Sequence, residues 1–98
     1  MFISNLTHFL DEKGNIAKEM YKEGREMASF LALIVDTATK VYPTPIKISG
    51  IRCLKKKCLG TIEIEVDKAN EAIAWECTKC GEAGRISGWQ KTKWDNRQ

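Results

Sequence analysis

The chain has 98 residues, of which 43% are hydrophobic and 30% are charged, and its formal net charge is +3. This composition is that of one small soluble domain, and no apolar run reaches the ~20 residues that a membrane span requires. The first residues also lack the basic start and the long apolar centre of a secretion signal. We therefore expect a cytoplasmic protein in a reducing compartment, where persistent disulfides are rare.

The first 14 residues allow two interpretations. The run SNLTHFLDEKGN can form a short helix capped by Ser4, because a serine side chain accepts a hydrogen bond from a free N–H group of the first turn. It can equally form an extended segment that turns at residues 13–15, where Gly14 suits a turn. His8, the only histidine, is expected to be a surface or partly packed residue rather than a metal ligand.

Residues 15–41 predict an amphipathic helix. Their larger apolar side chains recur at steps of three, four and seven residues, which places them on one face of a 3.6-residue period. Asn15 can cap the start, and Pro43 ends the pattern because proline cannot continue a helix. Gly24 costs such a helix about 1 kcal/mol relative to alanine, so the helix can break into two there. The apolar positions are Ile16, Met20, Met27, Leu31, Ile34, Val35 and Val41.

After Pro45 the hydrophobic pattern changes from helical to alternating. Residues 61–66 place isoleucine and valine on one face and Glu63 and Glu65 on the other, and residues 72–76 form the returning strand of a hairpin. Such alternation predicts an antiparallel sheet with one face open to water. Further short strands are expected at residues 46–48, 51–53 and 85–89, followed by a polar and partly mobile tail. The expected fold is α+β, with an N-terminal helical segment over residues 1–45 and a sheet domain over residues 46–98.

Four cysteines form two pairs in the second half of the chain: Cys53 with Cys58, and Cys77 with Cys80. The eighteen residues between the pairs contain one hairpin, which would bring the pairs together. This spacing is typical of a structural zinc site with four thiolate ligands, and we expect one Zn²⁺ per chain. Gly81 lets the backbone turn tightly behind the second pair and direct amide N–H groups at sulfur.

Residues 51–89 resemble a zinc ribbon, the knuckle–hairpin–knuckle module of transcription factors, RNA polymerase subunits and ribosomal proteins. The run CTKCG matches the knuckle pattern closely. The run CLKKKC has two residues more than the usual C-x2-C, and Leu59 follows it, with Gly60 one place later. The resemblance implies that residues 46–98 are a small zinc-ribbon domain in which the metal is structural and which can bind nucleic acid.

The same cysteines allow other chemistry. A rubredoxin-like iron site also uses four cysteines, but its aromatic and acidic surroundings are missing here, so zinc is preferred. Redox catalysis by Cys77 and Cys80 would need a thioredoxin-like βαβ context, which the sequence lacks. Four cysteines close the coordination shell, and no nucleophile–base set or phosphate loop is found in the sequence. We therefore expect no enzyme and no small-molecule substrate.

Basic residues gather around both cysteine pairs. Knuckle tips protrude, so lysines there can neutralise the phosphates of DNA or RNA, and exposed tryptophans can stack on unpaired bases. The alternative is a solvated lysine loop, with Trp75 and Trp89 in the core. The second half of the chain carries +4, which four zinc-bound thiolates would lower to +2. The expected nucleic-acid contacts are Arg52, Lys55, Lys56, Lys57, Arg85, Lys91, Lys93 and Trp94.

The apolar face of the helix must also be buried. The helix either covers one face of the sheet or pairs with a second copy of the chain, giving a homodimer through residues 15–41. These features support three functions, in decreasing order of support. They are a regulatory or accessory protein that binds nucleic acid, a protein–protein interaction module that dimerises through the helix, and a thiol redox or metal-responsive switch.

Overall fold

The protein, described by a computed structural model over residues 1–55 and 57–97, combines one sheet and one long helix. The fold class is therefore α+β, as the sequence predicts. The helix is not the first element, because a strand and a short 3-10 turn precede it. In chain order the elements are β1 (Phe2–Asn5), the 3-10 turn (Leu6–Phe9), α1 (Lys22–Lys40), β2 (Ile62–Asp67), β3 (Ala72–Cys77) and β4 (Ala83–Ser87).

The sheet has four strands in the order β1-β4-β3-β2 and is mixed rather than wholly antiparallel. β2 pairs with β3 and β3 pairs with β4 in antiparallel register, as the alternating pattern predicts. β1 pairs with β4 in parallel, with Phe2 opposite Gly84 and Asn5 opposite Ser87. The N-terminal segment thus adds an edge strand to the sheet built by the second half of the chain.

Two of the predicted strands, at residues 46–48 and 51–53, are not strands in the structure. Each segment makes only an isolated bridge, Ile46 with Ile64 and Arg52 with Thr61. Between them Gly50 has a φ of +76°, a left-handed conformation that interrupts an extended run. This segment therefore bridges to Ile64 in β2 and to Thr61 just before it, and it does not add a continuous fifth strand.

The N-terminal residues combine both predicted interpretations, an extended start and a short helical turn. The cap of the 3-10 turn is Asn5 rather than Ser4, and the Asn5 Oδ1 atom accepts a hydrogen bond from the Thr7 backbone N–H (3.0 Å). Leu6, the first residue of the turn, is fully buried. The turn therefore anchors the chain to the core directly after β1.

The helix begins at Lys22, so the predicted start at Asn15 is wrong. The Asp11 side chain accepts hydrogen bonds from the backbone N–H groups of Lys13 (2.9 Å) and Asn15 (3.0 Å). These local bonds offer the backbone a turn in place of a helical start. The helix continues through Gly24, so the predicted break is also absent from the described part of α1.

The helix covers one face of the sheet, which is one of the two predicted ways to bury its apolar side. The Phe30 ring meets the Trp75 ring edge-on, with 5.0 Å between the centroids, and Phe2 stacks on Trp75 at 6.1 Å. Gly84 faces Trp75 across the strands, where a Cβ atom would lie 2.7 Å from the indole. The buried side chains around them are Leu31, Ile34, Val35, Ile62, Ile64, Ile73 and Ile86.

The C-terminal tail, which the sequence predicts to be partly mobile, is docked on the end of the helix. Thr39 Oγ1 donates a hydrogen bond to the Trp94 carbonyl (3.0 Å), and the Asn96 backbone N–H donates to Thr39 Oγ1 (2.9 Å). The Asn96 side-chain amide donates to the carbonyl and to Oδ1 of Asp36, both at 2.9 Å. The polar composition of the tail therefore reflects hydrogen bonding to the helix end as well as contact with water.

The other face of the sheet is open and acidic. Glu63 lies directly opposite Glu76 on the neighbouring strand. The only cation among the described side chains of the strands is Arg85, and it donates to Asp67 Oδ2 at 2.8 Å. The carboxylates of this face therefore outnumber its cations.

Candidate metal centre

The cysteines meet at one end of the β2–β3 hairpin. Cys77 is the last residue of β3 and pairs with Ile62, the first residue of β2. Cys53 and Cys58 lie in the loop before β2, and Cys80 lies in the turn between β3 and β4. The hairpin therefore brings the two pairs together, as the spacing of the cysteines predicts.

The four sulfur atoms have the separations of a single tetrahedral site. Cys53 Sγ is 3.7 Å from Cys80 Sγ, Cys58 Sγ is 3.6 Å from Cys77 Sγ, and all four lie within 4.8 Å of one another. A tetrahedron with zinc–sulfur bonds of ~2.3 Å has sulfur–sulfur edges of about 3.8 Å. The cluster therefore fits one metal ion and is compatible with zinc.

The first knuckle, residues 53–60, is closed by backbone hydrogen bonds. The Cys53 N–H donates to the Gly60 carbonyl (2.9 Å), and the Cys58 N–H donates to the Lys55 carbonyl (3.0 Å). The Gly60 N–H points at Cys58 Sγ (3.4 Å). A Cβ atom on Gly60 would lie 2.7 Å from Cys77 Sγ, so only glycine fits where this knuckle crosses the second. The close packing of the two knuckles therefore explains why glycine follows Leu59 in the sequence.

The second knuckle, residues 77–82, directs two amides at one sulfur. The N–H groups of Lys79 (3.4 Å) and Cys80 (3.5 Å) donate to Cys77 Sγ. Gly81 has a φ of +78°, and its N–H donates to the Cys77 carbonyl (3.2 Å), which closes the predicted tight turn. The Thr78 N–H and hydroxyl both donate to the Thr61 carbonyl (3.1 Å), which ties the knuckle to the start of β2.

The cysteines differ in burial and in the stability of their thiolates. Burial raises the pKa of the Cys53 thiol to about 12, whereas the Cys80 and Lys79 amides lower the pKa of Cys77 to about 6. Cys53 and Cys77 are buried, Cys58 is half-buried and Cys80 is exposed. Because metal ligands must be thiolates, a bound cation would compensate the cost of deprotonating the buried Cys53.

Three of the predicted nucleic-acid contacts lie near the metal centre. Arg52, Lys55 and Lys57 are exposed at the first knuckle, and Lys55 Nζ lies 3.5 Å from the Glu82 carboxylate. Lys56 lies outside the described residues. Lys79, which the sequence analysis did not select as a contact, is also exposed within the second knuckle. The position of Lys79 between Cys77 and Cys80 in the sequence already places it in the second knuckle.

The structure does not place the other predicted contacts beside these. Arg85 is on the open sheet face and pairs with Asp67. Lys93 Nζ donates to Asn15 Oδ1 and lies 5.5 Å from the Trp94 ring centre, and Lys91 is exposed in the same tail. The seven predicted residues that the structure describes therefore fall on separate surfaces.

The tryptophans are mainly structural. Trp75 and Trp89 are buried, and Trp94 is half-buried in the docked tail. The Trp89 Nε1–H group donates to the carbonyl of Glu71 (3.0 Å), at the hairpin end opposite the cysteines. Trp89 therefore lies in the core, as one of the predicted alternatives has it, and away from the cysteines. His8 is exposed and is not one of the clustered ligands.

Comparison with known proteins gives no family assignment, because no family model, curated protein or solved structure matches the sequence. Within residues 1–55 and 57–97, no helix has the length and apolar character needed to cross a membrane.

Proposed function

We propose that the protein is a non-enzymatic zinc-ribbon protein that binds the phosphates of DNA or RNA through its basic knuckles. Four thiolates from two knuckles would hold one Zn²⁺, as in closed structural zinc sites, which keep no position free for a substrate. The knuckle–hairpin–knuckle order around β2 and β3 supports the zinc-ribbon assignment. Zinc is preferred to iron because a structural role needs no change of oxidation state, and Zn²⁺ has no redox chemistry.

The observation that carries nucleic-acid binding is the group of exposed cations on the two knuckles. Arg52, Lys57 and Lys79 are exposed beside the cysteines. Glu63 and Glu76, on the open sheet face next to the second knuckle, would repel a polyanion that lay across that face. A nucleic acid would therefore approach the knuckles end-on, where several cations can neutralise its phosphates.

This geometry favours contacts to the phosphate backbone over contacts to bases. Stacking of unpaired bases needs exposed aromatic rings, and both Trp75 and Trp89 are buried. We therefore propose binding with weak sequence preference and strong dependence on salt. The logarithm of the binding constant should fall linearly with the logarithm of the salt concentration. Each phosphate contact should make this slope steeper by about 0.9 on duplex DNA and by about 0.7 on single strands.

Fluorescence anisotropy with mixed-sequence DNA and RNA, titrated with salt, tests the proposal. The double variant Lys57→Glu/Lys79→Glu should lose binding and reduce the salt slope. The control Lys22→Glu/Lys68→Glu makes the same charge change at exposed positions outside the knuckles and should bind normally. Binding that is absent at low salt, or lost equally in both double variants, would refute the knuckle interface.

A second proposal is a homodimer through the outer side of the helix. Leu33 is 49% exposed, and Val41, directly after the helix, is 47% exposed. Leu31, in contrast, is fully buried against the sheet, so changing it would disturb folding rather than association. Light scattering on Leu33→Lys tests this proposal, which requires a dimeric wild type and a monomeric variant.

A further inference from the structure

We propose that Cys80 is the reactive thiolate of the metal site, where hydrogen peroxide acts first and releases the metal by coupling Cys80 to Cys53. This inference rests on the proposed zinc site. It gives that site a chemistry beyond a structural role.

Exposure is the first observation that singles out Cys80. Cys53 is 8% exposed and Cys77 is 2% exposed, and Cys58 is half-buried, whereas Cys80 is exposed to solvent. A groove of about 510 Å³ runs beside Cys80, and Glu63 and Glu76 also line it. Hydrogen peroxide is small and uncharged, so these carboxylates would not repel it.

The hydrogen bonds to sulfur give an independent second observation. Cys77 Sγ accepts the N–H groups of two residues, and Cys58 Sγ accepts one. Among the described residues, no backbone amide donates to Cys80 Sγ. An amide hydrogen bond withdraws charge from a thiolate and weakens it as a nucleophile. Cys80 is therefore the most exposed cysteine of the site, and its sulfur has no amide hydrogen bond among the described residues.

A neighbouring sulfur determines the fate of the oxidised Cys80. In the first step the Cys80 thiolate attacks one oxygen of hydrogen peroxide, the O–O bond breaks, and hydroxide leaves, which gives a sulfenic acid. In the second step the Cys53 thiolate, whose sulfur lies 3.7 Å away, attacks the Cys80 sulfur and displaces a second hydroxide. Two thiolates lose two electrons to form one disulfide, and the peroxide is reduced to two hydroxides. The site keeps only two of its four ligands and no longer retains the metal.

Mass-spectrometric mapping on the zinc-loaded wild type tests the first step directly. Dimedone, which traps sulfenic acids, should label Cys80 before any other cysteine under limiting peroxide. A chromogenic chelator should record zinc release in parallel, and the disulfide-containing peptide should join Cys53 to Cys80. First labelling at Cys53, Cys58 or Cys77, or equal labelling of all four, would overturn the inference.

The rate of zinc release from a matched pair of variants also tests whether Cys80 reacts first. Cys80→His and Cys58→His both leave a three-cysteine, one-histidine site, which zinc accepts. Peroxide-driven zinc release should slow severalfold in Cys80→His and much less in Cys58→His. Equal slowing would contradict the special role of Cys80, and if either variant fails to bind zinc, the wild-type labelling map decides alone. Purified protein that never contains metal would instead refute the proposed zinc site, so the two failures are distinguishable.

Discussion

Gly60 and Cys77 lie so close together that a Cβ atom on Gly60 would stand 2.7 Å from the Cys77 sulfur. The same Cβ atom would lie 2.7 Å from the Lys79 Cβ atom, so neither knuckle could yield without moving backbone. This contact is where the two halves of the metal centre touch. It explains why a glycine stands just after Cys58 and Leu59, one residue later than in the usual knuckle.

The first prediction concerns this contact. Gly60→Ala should weaken metal binding about 10- to 100-fold, the range found when residues supporting metal ligands are changed. Competition with a zinc chelator of known affinity measures the change. Affinity equal to that of the wild type would show that the knuckles can separate without cost.

The second prediction concerns the helix at Gly24. A Cβ atom there would meet only the Met20 side chain at 3.5 Å, which is ordinary contact, and the helix is continuous at this position. Gly24→Ala should therefore raise the free energy of unfolding by about 0.5–1 kcal/mol, because alanine loses less backbone entropy. Denaturant unfolding of the zinc-loaded protein measures it. The variant also serves as the control for Gly60→Ala, since its metal affinity should not change.

The third prediction concerns the docked tail. Asn96 donates to Asp36 Oδ1, so a double-mutant cycle of Asp36→Ala and Asn96→Ala should give a coupling energy of about 0.5–1.5 kcal/mol. Asn96→Ala alone should also make the last residues more sensitive to limited proteolysis. A coupling energy of zero, with unchanged proteolysis, would mean that the tail is not held by this contact.

The fourth prediction concerns removal of the metal. Structural zinc supplies an apparent ~10–16 kcal/mol at neutral pH, which equals or exceeds the ~5–15 kcal/mol of total stability of an ordinary domain. Because helix and sheet share one core around Trp75, chelation should unfold the helix together with the sheet. Circular dichroism and tryptophan fluorescence would follow the loss, and re-addition of zinc should reverse it. Unchanged spectra after complete metal removal would contradict this prediction.

The parts of the fold that depend on local pattern could be predicted from the sequence. The alternation at residues 61–66 predicts β2 because Ile62 and Ile64 point into the core. The cysteine spacing predicts the cluster because the hairpin closes it. The core role of Trp75 follows from its place on the returning strand. Predicting these features requires only the period of the apolar residues or the spacing of the cysteines, and both are visible in a single sequence.

The features that sequence reasoning missed depend on contacts between distant residues or on single side chains. β1 is a strand because it pairs with β4, far along the chain, and none of its own residues is buried. The helix starts late because Asp11 closes a turn before it. The tail is ordered because Asn96 and Thr39 meet across the fold. No periodicity signals any of these contacts.

The metal content of the native protein tests the central claim most directly. Native mass spectrometry of freshly purified chain, combined with thiol counting by N-ethylmaleimide, should show one Zn²⁺ per chain and cysteines that become fully reactive only after chelation. A folded chain that carries no metal, and whose cysteines all react freely, would contradict the account.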